Sequence, residues 1–94
     1  MTLSHDDTKH LIALVLEAPV EDARDRLRDV LRIKKQNEGR FYQGIIKHGP
    51  DMRLSTDQWF ELLSRLPNRM LRSDLDLPSL LSEEQLKRLP PVSG

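Results

Sequence analysis

A chain of 94 residues with fifteen basic and fifteen acidic side chains has room for one folding unit and carries no net charge. It contains no cysteine, which excludes a disulfide framework and a thiolate metal site and points to a reducing, cytoplasmic setting. The longest apolar run, Leu11 to Leu16, is far shorter than the roughly 20 residues of a membrane span, so no membrane association is expected.

At the N-terminus, His5, Asp6 and Asp7 stand where a secretory signal would carry positive charge, so no signal peptide is expected. Ser4 is instead a good helix N-cap, and Asp6 and Asp7 suit the positive end of the helix dipole. The segment from His5 to Glu17 carries Leu11, Ile12, Leu14, Val15 and Leu16 on most of its sides, which marks a buried central helix with Leu14 fully enclosed. Pro19 breaks this helix and suits the first position of the next. There Val20, Ala23, Leu27, Val30 and Lys34 form a stripe widened by Leu31, in an amphipathic helix expected to end near Gly39.

Between Arg40 and Leu54 two readings compete. Phe41, Ile45 and Ile46 followed by Gly49 and Pro50 suit a short helix with a glycine cap. The same residues suit a hairpin turning at His48 to Asp51, but a lone two-stranded hairpin is marginally stable, which favours the helix. Ser55 with Gln58 is a capping box that opens a helix bearing Trp59, Phe60, Leu62, Leu63 and Leu66. Pro67 ends that helix or begins one holding Met70 and Leu71. Ser82 with Gln85 is a second capping box, ahead of Leu86 and Leu89.

Chemistry-bearing patterns are sparse. His5 and His10 are five residues apart and do not share a helix face, so they do not make a helical zinc site, and a capped acidic helix start accounts for His5, Asp6 and Asp7. The chain has no cysteine nucleophile, no serine elbow and no glycine-rich phosphate loop, so neither catalytic residues nor a cofactor are assigned. Leu77-Pro78-Ser79-Leu80-Leu81 matches a short L-x-x-L-L docking pattern. It reads more simply as the anchor that lays the last helix on the core. Arg65, Arg69 and Arg72 would make one stripe if a helix ran straight through Pro67.

Charge is laid out unevenly. Residues 1–31 hold four basic against seven acidic side chains, and residues 49–94 hold six against seven. Residues 32–48 hold Arg32, Lys34, Lys35, Arg40 and Lys47 against Glu38 alone, bracketing Phe41 and Tyr42. Cations interleaved with aromatics are what single-stranded nucleic acid binders use. Acidic residues early and basic residues late in a helix also complement its dipole, and Asp22–Arg26, Asp25–Arg28 and Asp29–Arg32 have the spacing of ordinary surface ion pairs.

The sequence thus predicts an all-α fold, a compact bundle of four to five short helices over residues 1–89 with a flexible tail over 90–94. The expected function is a non-catalytic protein–protein interaction domain, such as an adaptor, inhibitor or regulatory subunit. Its expected partner is another protein, with self-association into a homo-oligomer as a variant. The second reading is a nucleic-acid-binding regulator. In either case the candidate surface is Arg32, Lys34, Lys35, Arg40, Tyr42 and Lys47.

Overall fold

The computed structural model describes residues 2–92, and these form helices without a strand. Residues 93 and 94, the end of the expected tail, lie outside the described residues. Helix α1, His5–Glu17, opens where Ser4 Oγ accepts from the Asp7 amide at 3.1 Å. It stops at Ala18, whose backbone is extended as the residue before a proline must be.

Pro19 does not begin the second helix. The Asp22 amide bonds to the Pro19 carbonyl at 3.0 Å, closing a turn, and α2 runs over Ala23–Ile33. The buried stripe accordingly starts at Ala23 and continues through Leu27 and Leu31, while Val20 is 56% exposed. Nor does α2 reach Gly39. Lys35 takes φ 56°, and the Gln36 amide returns to the Leu31 carbonyl while that of Lys35 returns to Arg32. This is a Schellman closure with lysine where glycine is usual. Lys34 is therefore the C-cap residue and not part of the apolar stripe.

Asn37 then caps α3, Glu38–His48, its Oδ1 accepting from the Arg40 amide at 2.9 Å. The helical reading of the 40–54 segment holds, because Phe41, Tyr42, Gly44 and Ile45 are buried at helical spacing. The glycine cap does not form. Gly49 keeps φ −55° and leads into a 3₁₀ turn, Gly49–Met52, and the left-handed residue comes later, at Arg53. The Trp59 ring occupies the space beside Gly49, where a Cβ would lie 2.7 Å from it.

Both expected capping boxes are present, with the Ser55 and Gln58 bonds opening α4, Thr56–Arg65, and the Ser82 and Gln85 bonds opening α7, Glu83–Arg88. Asn68 caps α5, Arg69–Asp74, and Pro78 sits in the first turn of α6, Leu77–Leu80. Among the described residues seven α-helices thus replace the expected four to five, because two prolines and the caps at Asn68 and Ser82 divide the C-terminal third into short pieces. The Arg65, Arg69, Arg72 stripe is broken for the same reason: α4 ends at Arg65 and α5 begins at Arg69.

Helix α1 lies at the centre, packed on α2, α3 and α4, while α3 also meets α5. Leu11, Ile12 and Val15 point into the core with Leu27, Phe41, Ile45, Leu62, Leu63 and Leu71. Leu14 is only partly buried, contrary to expectation. At 100° per residue it falls about 80° from the direction shared by Leu11 and Val15, which puts it on the flank. Thr8 is fully buried at the α1–α3 crossing, and a Cβ on Gly44 would come within 2.4 Å of its Oγ1. Backbones approach this closely only because Gly44 has no side chain. Of the L-x-x-L-L leucines, Leu81 is buried and Leu77 and Leu80 pack partly against the core, as an anchor requires.

Candidate interaction surface at the corner of α2 and α3

The corner is built around Glu38, the one acid in the basic block. As the first residue of α3 it faces Arg24 and Arg28, one turn apart on α2, and Tyr42, one turn further along its own helix. Arg28 Nε donates to Glu38 Oε1 at 2.6 Å and the Tyr42 hydroxyl donates to Oε2 at 2.8 Å. Arg24 Nε, at 3.6 Å, adds charge without a hydrogen bond. Partial burial pushes the Glu38 carboxyl up, but the bonds from Arg28 and Tyr42 and the two guanidinium charges outweigh it and hold the group below the usual carboxylate value. Tyr42 moves the other way: burial, then the bond to Glu38 and its negative charge, push the phenol well above its ordinary value.

Beside this clasp lies an open cleft of about 340 Å³, lined by Arg28, Leu31, Arg32, Gln36, Asn37 and Glu38. Leu31 is buried and forms apolar lining, and the amides and guanidinium groups supply hydrogen-bond donors around it. Ile33, next to Arg32 in the chain, is 80% exposed.

The six residues singled out from sequence separate into three groups. Arg32, Lys34, Lys35 and Arg40 gather where α2 turns into α3. Arg32 is exposed and bonded to Asp29, and Lys34 Nζ stands 3.8 Å from Asp7 Oδ1. Arg40 Nη1 donates to Gln36 Oε1 at 3.0 Å, and exposed Lys35 has no ion pair among the described residues. Lys47 is exposed but lies two turns beyond Arg40, roughly 10 Å along α3. Tyr42 is 4% exposed, so its ring presents no face to a stacked base. Sequence reasoning placed it on the surface because it counted position along the chain and not helix phase: Tyr42 follows Phe41 into the core, with ring centroids 5.9 Å apart.

The clasp itself was missed. Its signal lay in the spacings Arg24–Arg28 and Glu38–Tyr42, each four residues and therefore each on one helix face. Among the described residues, Arg28 pairs across the corner with Glu38 and not with Asp25, Asp22–Arg26 does not form, and Asp29–Arg32 does. No family model matches the chain, and no curated protein or solved structure matches it significantly. No helix among the described residues is long and apolar enough to cross a membrane.

Proposed function

We propose that this domain is a non-catalytic protein-interaction module that receives an acidic segment of a partner protein at the corner of α2 and α3. The observation that carries the reading is Ile33, a large apolar side chain left 80% exposed at the end of α2 and flanked in the chain by Arg32, Lys34 and Lys35. An exposed apolar side chain set among exposed cations suits a partner that carries both apolar and acidic groups. Charge complementarity selects the partner, since residues 32–48 carry five cations and their single acid is already held by Arg28 and Tyr42. An acidic segment with one apolar anchor would cover Ile33 and answer Arg32, Lys34 and Lys35. Such a module fits an adaptor, inhibitor or regulatory subunit working in a cytoplasm.

The nucleic-acid reading is weaker, because Tyr42 offers no stacking face. The test is affinity capture from nuclease-treated lysate with the wild type, Ile33→Asp and Lys35→Glu, beside anisotropy with a labelled single-stranded oligonucleotide. The expected result is a protein retained by the wild type and lost with both variants, whose thermal midpoints stay unchanged. Retention that ignores both substitutions would overturn the reading. So would a micromolar oligonucleotide complex whose affinity falls with salt at a logarithmic slope near −3, about four phosphate contacts. Light scattering on the purified chain distinguishes a second copy from a different partner.

A further inference from the structure

We infer that His5 and His48 form a two-histidine site for a divalent transition-metal ion of the zinc, nickel or copper class. His5 is the first residue of α1 and His48 the last of α3, and their imidazole centroids lie 5.5 Å apart with ring planes at 72°. A metal–nitrogen bond of roughly 2.0–2.1 Å sets each ring centroid about 3.2 Å from the ion, so two imidazoles at a tetrahedral angle have centroids about 5.2 Å apart. The observed pair already stands within a few tenths of an ångström of that separation.

The surroundings suit an ion that arrives from solvent. The His5 side chain is half exposed and His48 partly so, which leaves a path to both rings. Asp6 Oδ1 lies 3.8 Å from His5 Nδ1, beyond hydrogen-bond distance, and adds negative charge beside the pair that favours a bound cation. No group of three or more histidine, aspartate or glutamate donors converges among the described residues, so water completes the coordination sphere. Imidazole nitrogen selects borderline transition ions over magnesium and calcium, which prefer oxygen. The ion would tie the start of α1 to the end of α3, the same two helices that cross at Thr8 and Gly44. Their rigid crossing is what holds the histidines in register.

The test is calorimetric and thermal titration of the full chain with zinc and with nickel, magnesium serving as the hard-ion control. The expected result is one ion per chain and a midpoint raised by about 3–6 °C at saturation, since an ion that binds only the folded state stabilises it. Both effects should vanish in His5→Ala and in His48→Ala, which fold normally because neither residue belongs to the core. They should persist in His10→Ala, whose side chain is exposed on another face of α1. No heat and no midpoint shift up to about 1 mM zinc would overturn the site. A shift that survives either His5→Ala or His48→Ala, or that magnesium reproduces, would overturn it too.

Discussion

At the scale of single residues, Tyr42 and Glu38 make the most exposed claim. Tyr42 is the only tyrosine in the chain, so its absorbance reports one group. Its phenol is raised in the folded state, so the proton-bound form belongs to the fold. That contribution is present below the unfolded value of 10.0 and is lost as pH rises through the folded one. Spectrophotometric titration of the native protein should therefore show no half-ionisation near pH 10, and phenolate should appear only as the chain unfolds. A reversible midpoint near 10 would disprove the buried bond to Glu38. Glu38 has the opposite sign: its lowered carboxyl stabilises above the unfolded value, and that stability is lost as pH falls through the folded one. Glu38→Gln should cost about 1.5–3 kcal/mol at neutral pH, the range for a hydrogen bond to a charged group. It should also flatten the acid limb of a pH–stability curve.

Gly44 supplies a prediction in which two effects compete. Glycine to alanine inside a helix ordinarily stabilises by up to about 1 kcal/mol. Here the new methyl would meet Thr8 Oγ1 at 2.4 Å, and Thr8 is fully buried on a stiff β-branched side chain. Overpacking wins, and Gly44→Ala should destabilise by about 1–3 kcal/mol. Thr8→Ala removes both the clash and a buried hydroxyl without a hydrogen-bond partner. The double variant should recover most of the loss in a denaturant-melt cycle.

At the scale of elements, caps decide where helices start and one strained residue decides where α2 stops. Ser4, Ser55 and Ser82 were legible because an N-cap is a local bond between near neighbours. Lys35 was not, since any residue type can be driven left-handed when the helices on either side are held by the core. Lys35→Gly should therefore stabilise by up to about 1 kcal/mol in urea melts followed by Trp59 fluorescence. An unchanged or lowered midpoint would show that the lysine bears no conformational cost. Within α1, Leu11 is enclosed and Leu14 is not, so Leu11→Ala should cost about 2–5 kcal/mol and Leu14→Ala clearly less.

At the scale of the whole molecule, stability should be graded from α1 outward. Helix α1 packs on three others, whereas α6 and α7 contain no fully buried residue. The C-terminal pair is held by Leu81, by Gln85 Nε2 donating to Asp57 at 2.9 Å, and by Arg88 over the Phe60 ring at 5.8 Å. Arg72 Nη2 also donates to the Pro90 carbonyl at 2.7 Å, fastening the chain just beyond α7. Amides of α1 should exchange at the global unfolding rate, while those of α7 exchange through a cheaper local opening. Equal protection across both helices would show that α7 belongs to the same cooperative unit.

What the sequence by itself determined was the all-helical class, the central place of the first helix and both capping boxes. Each rests on interactions within about four residues, which periodicity and cap chemistry express directly. Only the tertiary structure decided the rest. The start of α2 at Ala23, the burial of Tyr42, the clasp on Glu38 and the meeting of His5 with His48 all depend on the angles at which helices cross. Those angles are set by side-chain shape at contacts such as Thr8 on Gly44. The partners there are far apart in the chain, so no local pattern in one segment announces the other.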